Sequence, residues 1–138
     1  MPDTAAVDTA LLAKLGADAT LTTLMPGGIW FDVGPHGVEK FVLVAQLAHE
    51  DHYLFGGSAW EVITYLIKAV ALSTSVTDAK AAASRIHTLL QDGTLTPTGY
   101  GLMRMQRAER VRFTEVDQQT DARWQHSGAH YEVWVQPS

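Results

Sequence analysis

Apolar residues fall at helical spacing where the chain begins, then cluster or alternate along most of the remainder. Thr4 to Leu15 sets Val7, Leu11, Leu12 and Leu15 on one side, which predicts a helix. Asp3 or Thr4 is placed to cap it and Gly16 to end it. Asp18 is placed to cap a further short turn bearing Leu21, Leu24 and Met25, and Pro26-Gly27-Gly28 then stops any helix. Ile29 to Val33 reads as a short strand and Gly34-Pro35-His36-Gly37 as a loop. Phe41 to Leu47 is a strand with apolar residues on both faces. Ala48 to Gly57 reads as a loop, polar and then aromatic, closing on two glycines.

The β-branched and aromatic residues Val62, Ile63, Thr64, Tyr65 and Ile67 favour a long strand over Trp60 to Leu72, although its Ala-rich end is compatible with a helical finish. Thr77 to Gln91 is the clearest helix. Thr77 or Asp78 caps it, Ala79, Ala82, Ala83, Ile86, Leu89 and Leu90 form its apolar stripe, and Gly93 stands where a left-handed C-terminal residue belongs. Thr96-Pro97-Thr98-Gly99 is a turn. Leu102 to Val116 reads as one long strand with room for a bulge. Met103, Met105, Val111 and Phe113 share one parity there, and Arg104, Arg110 and Arg112 the other. After a turn at Gln118 to Ala122, the final strand lies within Trp124 to Val135. In it Tyr131, Val133 and Val135 alternate with Glu132, Trp134 and Gln136. The last two strands are joined too tightly for a crossover and form an antiparallel hairpin. The class that follows is α+β: a mostly antiparallel sheet with helices packed on one face, in a single domain over residues 1–138.

Composition narrows the function. The 138 residues suit one domain and carry no cysteine, which excludes disulfide scaffolds, Cys-based zinc sites and thiol catalysis. No apolar run is long enough to span a membrane, and the N-terminus lacks the basic and apolar regions of a secretory signal, so a soluble, cytoplasmic product is expected. A net charge of −5 argues against a domain that grips nucleic acid by neutralising phosphates. The charge is uneven. Residues 1–78 carry three lysines against nine carboxylates, whereas residues 79–138 carry seven basic against six acidic residues, and all six arginines lie between Arg85 and Arg123. Such a division suits head-to-tail stacking of copies, or is simply spread over a solvated surface.

Few residues point to chemistry. His49-Glu50-Asp51-His52 is the most ligand-rich stretch, but its spacing is not that of the zinc-protease helix and no third ligand is signalled nearby. It reads as solvated loop residues. His126 and His130 are about 13 Å apart if extended, and share an ion only if the chain turns at Gly128. Ser58, Ser73, Ser75 and Ser84 lack a nucleophile elbow. Glu50/Asp51 and Glu115/Asp117 lack signs of the burial that tunes a general acid. No phosphate loop, dinucleotide fingerprint or EF-hand occurs, and the expectation is a non-enzyme without cofactor or metal. Two surfaces stand out instead. Arg104, Arg110 and Arg112 on one strand face, with Arg107 on the other, suit either carboxylates of a neighbouring subunit or a cross-strand partner such as Glu132. Tyr53, Leu54 and Phe55 either tuck under the sheet or form a docking surface.

The C-terminal half carries a resemblance. It reads Leu95-Thr96-Pro97-Thr98-Gly99-Tyr100, then Val111-Arg112-Phe113-Thr114-Glu115-Val116-Asp117, then Arg123-Trp124-Gln125-His126, then the final strand from Gly128 to Val135. With the Leu-spaced opening helix, Gly27-Gly28-Ile29-Trp30 and the apolar strand 41–47, the chain resembles the small phage tail-completion or tail-terminator family of long-tailed phages and prophages. It departs in having Gly128-Ala129-His130 before Tyr131 and Glu39-Lys40 before the second strand. The resemblance implies a structural virion protein made in the host cytoplasm. It forms a ring, typically a hexamer, at the head-proximal end of the tail tube. There it stops tube polymerisation, meets a head-completion or neck protein, and lets genomic DNA pass through its lumen. The interface residues would be Arg104, Arg107, Arg110, Arg112, Tyr53, Leu54 and Phe55. A head-completion or neck connector protein is the nearest rival, and a cytoplasmic metal- or ligand-binding domain the more distant one.

Overall fold

Val7, Leu11 and Leu15 lie one turn apart and are fully buried along one side of helix α1 (Ala5–Gly16) in the computed structural model, which describes residues 5–55 and 57–137. The caps expected at Asp3 and Thr4 lie outside the described residues. Asp18 caps helix α2 (Ala19–Leu24) as its sequence implies, its Oδ2 accepting from the Leu21 amide at 2.9 Å.

Five strands follow in the spatial order β1-β2-β3-β5-β4: β1 (Ile29–Phe31), β2 (Lys40–Leu54), β3 (Gly57–Leu72), β4 (Tyr100–Val116) and β5 (Arg123–Pro137). β1 runs parallel to β2, and every other pairing is antiparallel. Helix α3 (Thr77–Leu90) connects β3 to β4. The sheet is therefore mixed but mostly antiparallel, and the fold is α+β.

One side of the sheet makes the core. Val42 and Val44 of β2, Ile63 to Ala71 at odd positions of β3, Met105 of β4, and Ala129 to Val135 at odd positions of β5 join the buried stripes of all three helices. The strand period of two explains the selection, because cross-strand partners such as Tyr65 and Tyr131 point the same way. α3 buries Ala79, Ala82, Ile86 and Leu90, most of its expected stripe.

Three local expectations are corrected. Ala48 to Gly57 is not a loop: β2 runs on to Leu54 and pairs with β3 down to Leu54–Gly57. Alternation gave no signal there because nearly all of β2 beyond Ala45 is exposed on both sides, and ladder hydrogen bonds hold the arm instead. The N-cap of α3 is Val76, with no side-chain cap bond, rather than Thr77 or Asp78. The left-handed residue after α3 is Asp92 (φ 55°), not Gly93. Gly93 is needed for another reason: a Cβ there would lie 2.4 Å from the Leu89 carbonyl oxygen.

Candidate functional site

Two register shifts in β4 decide where its arginines go. Met103 and Ala108 are each an extra residue against β5, between Leu102/Arg104 and Arg107/Glu109. Simple alternation groups Arg104 with Arg110 and Arg112. The bulge at Ala108 reverses the parity after it. Arg107, Arg110 and Arg112 therefore stand opposite Tyr131, Ala129 and Ser127, on the helix side, and Arg104 stands opposite Trp134 on the uncovered side. Val111 and Phe113 likewise fall on the uncovered side, away from Met105 in the core.

The helix-side arginines meet α3 across a groove of about 430 Å³, walled by Lys80 and His87 of α3 and by Arg107, Arg110 and Arg112, with Tyr131 in its floor. None of Lys80, Arg107, Arg110 and Arg112 is in an ion pair with a carboxylate among the described residues; Arg85, also on α3, turns away to grip Asp18 at 2.6 and 2.8 Å. Burial, then the charges of Arg107 and Arg110, hold the His87 imidazole below its ordinary range. Burial pushes the Tyr131 hydroxyl up to about 12, with the nearby arginines opposing it. The groove is thus a concentrated positive field, a surface whose charge suits carboxylates or another anion. Glu132, a possible intramolecular partner, accepts instead from Gln106 Nε2 at 2.9 Å. The sequence pattern did not signal Lys80 and His87, because they come from a separate helix.

The uncovered side carries aromatic and cationic stacks. His52 stacks on Trp60 at 4.8 Å between centroids and lies 6.5 Å from Trp134, over which the Arg104 guanidinium sits at 5.3 Å. Arg104 is therefore engaged within its own chain. Lower down, Lys68 lies 5.0 Å from the Phe113 ring, which stacks on His126 at 4.2 Å. Burial and then Lys68 lower the His126 pKa, against a Glu115 hydrogen bond of 3.2 Å.

The β2–β3 hairpin is the other exposed element. β1 covers the outer edge of β2 only at Val42 to Val44, and β5 reaches β3 only as far as Glu61. The arm beyond ends in Tyr53, Leu54 and Phe55, which are 69%, 65% and 109% exposed, so they do not tuck under the sheet.

The His49 to His52 stretch lies on a strand, and its members alternate sides. His49 and Asp51 share the helix-side parity, and Glu50 and His52 the other, so the four do not converge. A third acidic group does join the first pair. Glu61 is the direct cross-strand partner of Asp51, and its Oε1 lies 3.0 Å from His49 Nε2. His126 and His130 do not come together, because β5 continues through Gly128 without a turn. Gly128 serves contact with β3: a Cβ there would lie 2.2 Å from the Ile67 carbonyl oxygen. No helix is long and apolar enough to cross a membrane among the described residues.

A family model described as tail completion protein gp17 matches residues 9–136. A solved chain of the "virion of native gene transfer agent (GTA) particle" superposes with a TM-score of 0.71 at 20% identity, over 96% of each chain. Another solved structure gives a TM-score of 0.63 at 9% identity, over 100% of each chain. At those identities the two share the fold. No curated protein sequence matches the chain.

Proposed function

Given that the chain belongs to the tail completion protein gp17 family, and so is a structural protein of the phage tail and neck region, we propose that it closes the head-proximal end of the tail tube as a hexameric ring. The observation that carries this reading is the family match over residues 9–136. Surface chemistry supports it. A closed ring built head to tail needs two different, complementary patches on each subunit. The lysine and arginines of the α3–β4 groove, which have no carboxylate partner among the described residues, are suited to be one, and the exposed Tyr53-Leu54-Phe55 tip of the β2–β3 arm is suited to dock a neighbour, the tube protein or the neck protein. The net charge of −5 suits a lumen through which DNA slides without being gripped. On this reading the protein works by assembly rather than catalysis, first in the host cytoplasm and then in the virion.

The test is to add the purified chain to polymerising tail-tube subunits. Negative-stain images are expected to show a ring with a central hole and tubes whose growth stops once capped. Unlimited tube growth, together with binding to a portal or adaptor ring, would assign the chain to the neck connector instead.

A further inference from the structure

We propose that His49, Asp51 and Glu61 form a binding site for one divalent transition-metal ion of the zinc class at the root of the β2–β3 arm. The proposal goes beyond the ring reading and does not depend on it.

The three side chains each present a ligand atom, and those atoms lie within 4.8 Å of one another. His49 Nε2 is 3.0 Å from Glu61 Oε1 and 3.9 Å from Asp51 Oδ1. Ligand atoms about 2.1 Å from a tetrahedral zinc are roughly 3.4 Å apart, so binding asks that the His49–Glu61 contact open slightly and that Asp51, which is exposed, move inward.

Glu61 supplies the independent observation. Its side chain is only 5% exposed, and its second oxygen, Oε2, is buried with no hydrogen-bond partner among the described residues. A buried carboxylate oxygen left bare is costly. A metal ion taken by both oxygens of the Glu61 carboxylate removes that cost.

Charge points the same way. As metal ligands, two carboxylates and an imidazole bring a charge of −2, which a divalent ion cancels. The nitrogen ligand and the small number of protein donors favour zinc-class ions over calcium or magnesium, which prefer all-oxygen shells with more ligands. Three protein ligands leave a fourth position for water or for a donor from a neighbouring molecule. The ion would cross-link β2 to β3 where β5 ends, setting the direction of the arm.

The experiment is calorimetric titration of chelator-treated full-length protein with zinc chloride. One ion per chain is expected, with affinity reduced at least tenfold in Glu61→Gln and in His49→Ala. Cobalt substitution is expected to give the visible absorption of a low-coordinate site. A His126→Ala/His130→Ala double variant is expected to bind as the parent does. If Glu61→Gln fails to fold, His49→Ala and Asp51→Asn, at less buried positions, carry the comparison. Absence of saturable one-to-one binding overturns the proposal and leaves a histidine ion-paired with two carboxylates. Binding that survives both ligand variants, or that is lost with His126 and His130, overturns it equally.

Discussion

The Tyr65 hydroxyl donates a hydrogen bond to the Asp8 carboxylate, tying helix α1 to the central strand β3. Burial, and then Asp8, raise the Tyr65 pKa well above its model-compound value of 10.0. Tyr65→Phe keeps the ring in the core and deletes only this link. We expect a loss of about 1–2 kcal/mol in urea unfolding. Because the folded state holds the phenolic proton more tightly, this contribution is complete below pH 10.0 and lost as pH rises beyond it. An alkaline stability profile with the same slope in Tyr65→Phe as in the parent would contradict this.

Asp18 both caps α2 and grips Arg85, and the Arg85 hydrogen bond is the largest cause of its pKa falling from 3.8 to about 2. The depressed value fixes the sign. The contribution is complete above pH 3.8 and disappears as pH falls to about 2. A carboxyl-carbon NMR titration should show the Asp18 midpoint near its depressed value in the parent and near the ordinary one in Arg85→Gln.

Gly128 packs against the β3 backbone, with no room for a Cβ beside Ile67 and Lys68. Gly128→Ala is expected to cost about 1–3 kcal/mol, since both neighbours are backbone in the middle of a sheet and yield little. A melting temperature equal to the parent's would show that β3 and β5 can separate more easily than their paired registers suggest.

For the ring proposal, Arg110→Glu/Arg112→Glu reverses two charges of the groove without touching the core. Monomer stability should change by no more than about 0.5 kcal/mol. Oligomer mass by light scattering should fall to that of the monomer. An unchanged mass would remove the groove from the interface.

The exposed tip offers a separate test. Replacing Tyr53, Leu54 and Phe55 with serine deletes apolar area that is mostly exposed. Thermal stability should stay within about 0.5 kcal/mol of the parent, while tube or neck binding weakens. Full binding by the triple variant would assign the tip no part in docking.

Much of this molecule can be read from spacing alone. The four-residue steps of Val7, Leu11 and Leu15, the stripe of α3, and the alternation of Tyr131, Val133 and Val135 all reflect one buried side against one exposed side. The arm from Ala48 to Leu54 escaped because neither of its sides is consistently buried, so hydropathy has nothing to report. Simple alternation misplaces the arginine faces because a bulge is a matter of pairing with β5, and Ala108 looks like any other strand residue. Glu61 escaped as a partner of His49 because it is distant in sequence, and only the β2–β3 register brings it there.

The extra residue at Ala108 has a consequence for how this surface can change over time. Arg110 and Arg112 face the helices because of a count of residues, not because of their identity. Pairing β4 without that bulge, so that every residue after Arg107 slips by one position against β5, would move both guanidinium groups to the opposite side of the sheet and leave the protein's charge and isoelectric point untouched. Related chains with nearly the same composition can therefore present inverted electrostatic maps. The register of β4 beyond its second bulge, more than the number of its arginines, is the quantity to compare among them.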